Sequence, residues 1–133
     1  MKKKVNNPQS IAQPLSNYSH VVRLEIVDTA LIYVAGQIAL DLQEKLVGEN
    51  DISAQTEFVF KQIETILKEE GASLRDVVKA NIYVTDMSHY DKVAAVRNRY
   101  FSVDPPATTF VEVSKLAREG LLVEIEVQAA IQV

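Results

Sequence analysis

The sequence predicts an α+β fold, a sheet with two helices packed on one of its faces. Three observations carry that expectation. Apolar residues recur at helical spacing in two stretches, 52–70 and 88–101. Runs rich in β-branched residues precede, separate and follow them. The last stretch, Leu121 to Val133, alternates, with apolar residues at 121, 123, 125, 127, 129, 131 and 133.

Taken in order, Val21–Val27 and Leu31–Ala35 form a hairpin with Asp28-Thr29 as its turn. Gly36 follows directly, and 41–51 is polar with Gly48 in it, hence a loop. Over Ile52 to Glu70, Val59, Ile63, Ile66 and Leu67 line one helical face. Asp51 or Ser53 can cap that helix, and Gly71 suits the left-handed residue that ends it. Val78, Ala80, Ile82 and Val84 alternate with Lys79, Asn81 and Tyr83, a strand with one face on the core. The second helix runs from Ser88, its expected cap, to Phe101. Tyr90, Val93, Ala94, Arg97 and Phe101 share one stripe of it, and Pro105-Pro106 stops it. Thr108–Val113 and the 121–133 run complete the sheet. The face away from the helices is part apolar (Leu122, Ala130) and part polar (Glu124, Glu126, Gln128, Gln132). Such a face is usually buried between subunits or lines a cleft, so an oligomer is expected.

Bulk properties narrow the function classes. With 133 residues, 47% apolar and 24% charged, the chain has the size and composition of one globular domain, 1–133. It has no cysteine, which excludes disulfides and thiolate chemistry. Met1–Lys4 is basic, but Val5-Asn6-Asn7-Pro8 follows instead of an apolar run, so no signal peptide is expected. No stretch approaches the roughly 18 apolar residues of a membrane span, and the expected location is cytoplasmic. The net charge is −4 and the basic residues are scattered, so nucleic acid is not an expected partner. His20 and His89 lie far apart without ligand-spaced companions, so no metal site is expected.

Four short motifs then recur in a familiar order. They are Ala35-Gly36-Gln37-Ile38, the run Pro106-Ala107-Thr108-Thr109-Phe110-Val111-Glu112-Val113, Leu116, and Leu122-Val123-Glu124-Ile125-Glu126. From about Tyr18 to Ile131 the chain resembles the reactive intermediate deaminase (Rid/YjgF) family. The resemblance implies a chorismate-mutase-like fold and a homotrimer with small-molecule clefts at the subunit interfaces. It further implies cofactor-independent hydrolysis of imines or enamines, such as 2-aminoacrylate, to a 2-oxo acid and ammonia. On the same ground Glu126 is the expected catalytic carboxylate, and Tyr18 closes the pocket. Gly36 brings backbone close to the ligand, and backbone groups from Thr108 through Thr109 to Phe110 hold it.

The chain departs from the family pattern at three polar positions. Thr108 stands where the deaminases carry the arginine of Pro-Ala-Arg, Ala35 where they have serine, and Ala94 where an asparagine is common. A charge-assisted hydrogen bond contributes about 1.5–3 kcal/mol, so threonine at 108 should weaken carboxylate binding. Arg97, or Arg99, is a candidate to reach the cleft instead. The alternative for Arg97 is a stem packed on the protein with its head in solvent. By spacing alone Glu124 and Glu126 read as solvated strand charges, and the resemblance singles out Glu126. Two functions stay open: an imine or enamine deaminase-type hydrolase, and a non-catalytic trimeric module that binds a metabolite. A ribonuclease role fits poorly with the acidic charge.

Overall fold

In the computed structural model, which describes residues 1–133, six strands form one mixed sheet. The elements are β1 (Lys2–Asn6), β2 (Val21–Ile26), β3 (Thr29–Gln37), α1 (Ile52–Glu69), β4 (Val77–Val84), α2 (Tyr90–Tyr100), β5 (Ala107–Glu112) and β6 (Val123–Gln132). Short 3-10 turns, Leu74–Asp76 and Met87–His89, lead into β4 and α2. The strand order is β1-β2-β3-β6-β4-β5, and only the β4–β5 pair is parallel. The last strand of the chain thus fills the middle of the sheet. That position explains its alternation, because Val123, Ile125, Val127 and Ala129 are buried under the helices.

The expected α+β architecture, with both helices on one face, is what the chain adopts. α1 starts at Asp51, not Ser53: the Asp51 carboxylate accepts from the Ala54 backbone N–H at 3.0 Å. Beyond its end, Gly71 takes the left-handed conformation at φ 76°. Ile52, Val59, Phe60, Ile63, Ile66 and Leu67 form its buried face. Phe60 stacks on Tyr100 at 4.9 Å and meets Phe101 edge-on at 5.4 Å, which fastens α1 to α2.

Four local expectations need correction. The expected strands begin only at Val21, yet Lys2–Asn6 pairs with β2 and Lys4 bridges to Glu25 at 3.0 Å. An edge strand tolerates such a lysine run, and the charges discourage pairing with further chains. The hairpin turn is Val27-Asp28, not Asp28-Thr29, because Thr29 already pairs with Ile26. Val27 therefore sits at φ 57° with its side chain in solvent, an uncommon place for a β-branched residue. On β4 a register shift between Val77 and Lys79 turns Val77 inward and leaves Val78 54% exposed. Ser88 is no cap: it lies in the 3-10 turn, where the Asp86 carboxylate accepts from its N–H at 2.9 Å. The acidic side chain two residues earlier is the stronger acceptor, and α2 proper begins at Tyr90. No helix is long and apolar enough to cross a membrane.

Candidate functional site

Alternation along β6 sends Glu124, Glu126 and Gln128 to the sheet face away from the helices. There they meet the outward residues of β4, with Asn81 opposite Glu126 and Tyr83 opposite Glu124. Oε1 of Glu126 accepts from Asn81 Nδ2 at 3.1 Å and from the Tyr83 hydroxyl at 2.5 Å. The bond to Glu126 pushes the Tyr83 phenol up to about 12, since ionising it would lose that bond and set two negative charges together. Glu126 is thus a carboxylate fixed in place by two donors.

Glu124 is different. It is half-buried, and burial raises its carboxyl above the ordinary glutamate range, with the charge of Glu126 adding to the effect. It lies directly against Gly36: a Cβ there would be 2.2 Å from Glu124 Oε2. Gly36 falls in the irregular stretch of the β3–β6 ladder between Val34 and Gln37, and Gln37 pairs with Ile125. The bulge, the missing side chain and the half-buried carboxyl coincide. Glu124 is therefore not a solvated strand charge. Spacing could not separate it from Glu126, because the two share a face and only the register opposite β3 distinguishes them.

Tyr18 and Gly36 do come together, lining one cleft with Leu15, His20 and Gln37. The Tyr18 hydroxyl accepts from the Leu15 N–H at 3.2 Å, and its ring meets His20 edge-on at 5.9 Å. A buried polar chain anchors this wall. His20 Nε2 donates to the Ala12 carbonyl at 2.8 Å, and Gln37 Nε2 donates to His20 Nδ1 at 3.1 Å and to the Ala35 carbonyl at 2.9 Å. Gln62 donates in turn to Gln37 Oε1 at 2.8 Å. The Ala35 carbonyl fixes the orientation of the Gln37 amide, which sets the neutral His20 tautomer with its proton on Nε2. Replacing His20 by Leu strands a Gln37 N–H and the Ala12 carbonyl. The expected cost is roughly 1–3 kcal/mol, seen as a lower urea midpoint at unchanged slope. An unshifted midpoint would show that the chain anchors nothing.

The remaining expected site residues divide between the two faces. On β5, Thr108 pairs with Ala80 and Phe110 with Ile82, both buried under the helices, whereas Thr109 pairs with Asn81. Thr109 therefore shares the face of Glu126, and its hydroxyl accepts from Lys79 Nζ at 2.8 Å. Thr108 lies on the helix side and donates to the Pro106 carbonyl at 3.0 Å. Phe110 rests against Tyr90 at 4.7 Å, and the Arg97 guanidinium lies over the other part of this pair, 6.0 Å from the Tyr90 ring centroid. Within one chain, Thr108, Phe110 and Arg97 are separated from Glu124 and Glu126 by the sheet.

Residues 8–131 match the family model described as Endoribonuclease L-PSP. A RutC family protein of Pyrococcus abyssi is 36% identical over 126 residues, covering 95% of each chain. The crystal structure of yeast YEO7 superposes with a TM-score of 0.88 at 31% identity, covering 97% of this chain and 98% of that one. YyfA of Yersinia pestis, a conserved Rid protein, superposes with a TM-score of 0.87 at 32% identity over 98% of this chain and 100% of that one. The chain belongs to the Rid/YjgF superfamily, the group covered by the Endoribonuclease L-PSP model and the RutC proteins.

Proposed function

We propose that the chain hydrolyses small imines or enamines to carbonyl compounds and ammonia, with Glu124 as the proton-transferring carboxyl. The observation that carries this is the half-buried carboxyl of Glu124, raised above its ordinary range, unpaired with any cation and pressed against the bare backbone of Gly36. A carboxyl group in that environment holds its proton more tightly than an ordinary glutamate and is placed to pass it to a bound substrate. Ionised Glu124 takes a proton from water as the water oxygen bonds to the carbon of a protonated imine. The resulting amino-alcohol receives that proton on nitrogen. The C–N bond then breaks, ammonia carries away the hydroxyl proton as ammonium, and the carbonyl product remains. Glu126, held by Asn81 and Tyr83, is a positioning residue here: its fixed charge adds to the upward shift of Glu124.

The two-sided distribution of site residues supports a cleft shared between copies of the chain. Thr108, Phe110 and Arg97 of one copy can face Glu124 and Gly36 only across an interface. The outer sheet face, where Tyr33 and Val111 are 38% and 39% exposed, suits such packing. A homotrimer, as the family resemblance implies, is the assembly proposed. A non-catalytic binding module is the second reading, favoured by the Thr108 hydroxyl being spent on Pro106 and by the apolar Ala35 and Ala94. Cleavage of RNA, which the family model's description names, has less support, since Glu124 and Glu126 together would repel a phosphodiester.

Incubation with 2-aminoacrylate and with other imines generated in situ separates the two main readings. The expected result is faster ammonia release than in buffer, from a species with the mass of three chains in solution. Binding without acceleration of any imine would leave only the binding module, and a monomeric mass would remove the shared cleft.

A further inference from the structure

The bulge in β3 is braced from the side opposite Glu124. Val34 pairs with Val127 and Gln37 with Ile125, so Ala35 and Gly36 together face the single residue Glu126. A bulge interrupts the ladder, and other contacts must then fix its backbone. The Gln37 side chain, 1% exposed on the helix side of the sheet, supplies them. Its Nε2 turns back past Gly36 to donate to the Ala35 carbonyl at 2.9 Å, closing residues 35–37 into a ring with Gly36 at its middle. The other Nε2 proton goes to His20 Nδ1 at 3.1 Å, and Oε1 accepts from Gln62 Nε2 at 2.8 Å. The amide is thus held from β3 itself, from the residue that precedes β2 and from α1. It cannot turn over, because Oε1 would then meet the Ala35 carbonyl oxygen. His20 is fixed in the same way: its backbone N–H donates to Asn7 Oδ1 at 2.8 Å, and its carbonyl accepts from the Ala35 N–H at 2.8 Å.

We infer that His20 and Gln62 are positioning residues for the hydrolysis: acting through the Gln37 amide, they hold the Gly36 bulge in the shape that seats the Glu124 carboxyl. This rests on the imine-hydrolase reading above. Neither residue reaches Glu124, which lies on the other face of the sheet. What they share with it is the backbone at Gly36, clamped by Gln37 on one side and in contact with Glu124 on the other. Loss of either bond to the amide frees the ring to shift, and a misplacement on the order of 1 Å can cost about 100-fold in rate.

Ammonia release from 2-aminoacrylate generated in situ, with each variant kept where its urea curve shows it folded, tests the inference. His20→Leu and Gln62→Leu should each lower kcat by about 10–100-fold, with KM changed by less than about threefold. Gln62 is only half-buried, so its variant serves even if His20→Leu does not fold. His20→Asn is the rescue. Asparagine has an oxygen where histidine has Nδ1, but no atom that reaches the Ala12 carbonyl, so it should recover most of the kcat although it loses that bond. The Gly36 amide resonance should move in both leucine variants and stay near its parent position in His20→Asn. Unchanged kcat in the two leucine variants, or an asparagine variant as slow as His20→Leu, would overturn the inference and leave the hydrolase reading standing. So would a loss carried by KM and confined to His20, which would place the effect in the Tyr18 wall and not at Gly36. No acceleration of any imine by the parent would remove the hydrolase reading and the inference with it.

Discussion

Glu124→Gln is expected to lower imine turnover by roughly 10²–10⁴-fold, the usual range for loss of a general acid–base group. The amide keeps the shape of the side chain, so it can still lie against Gly36, but it cannot take up the proton of the attacking water. In the unaltered protein, kcat/KM should fall as pH drops through a value above 4.5, because burial and the Glu126 charge raise the Glu124 carboxyl. The glutamine variant should lack that limb. Stability should move the other way. A carboxyl raised in the folded state favours folding while it is protonated, below its unfolded value, and that contribution is lost as pH rises through the folded value. At neutral pH the glutamine variant should therefore unfold at an equal or higher urea concentration than the parent, with the difference vanishing as pH falls toward 4.5. Glu126→Gln makes the contrast. It retains an oxygen to accept from Asn81 and Tyr83, so its loss of turnover should be much smaller. If Glu126→Gln abolished activity and Glu124→Gln spared it, the two glutamates would exchange roles.

That contrast marks the boundary of what one sequence reveals. The α1 cap at Asp51, the left-handed Gly71 and the long alternation of β6 are set by residues within a few positions of one another, and local physics identifies them. β1 is not legible, because nothing in a lysine run asks for a strand; its partner, the free edge of β2, supplies the reason. Val78 points the wrong way on account of a one-residue irregularity, and a single-residue slip inverts every side chain behind it. The site follows the same rule. Gly36 and Tyr18 line one cleft. Choosing between Glu124 and Glu126 requires knowing that Gln37 lies opposite Ile125, a contact across almost ninety positions of chain. Alternation on β5 shows that Thr108 and Thr109 face opposite ways. Their pairing with Ala80 and Asn81 shows which way each faces.

Gly36→Ala should separate function from folding most sharply. The added Cβ would stand 2.2 Å from Oε2, 2.7 Å from Cδ and 2.9 Å from Cγ of Glu124. All three atoms belong to a side chain that can swing outward, and no backbone atom is among them. The fold should absorb the methyl group at about 1 kcal/mol or less, while the carboxyl is displaced from its place over the strand. A displacement on the order of 1 Å can cost about 100-fold in rate, and a loss near that size is expected. Gly71→Ala is the opposite case. Nothing lies within 4 Å of a Cβ at Gly71, but φ is 76°, so alanine there should cost roughly 1–2 kcal/mol of stability and leave turnover unchanged. The double variant Gly36→Ala, Glu124→Gln completes the cycle. If Gly36 acts by seating Glu124, the alanine should cost little more once the carboxyl is gone. Losses that simply multiply would mean that Gly36 serves the reaction independently of Glu124, through its own backbone.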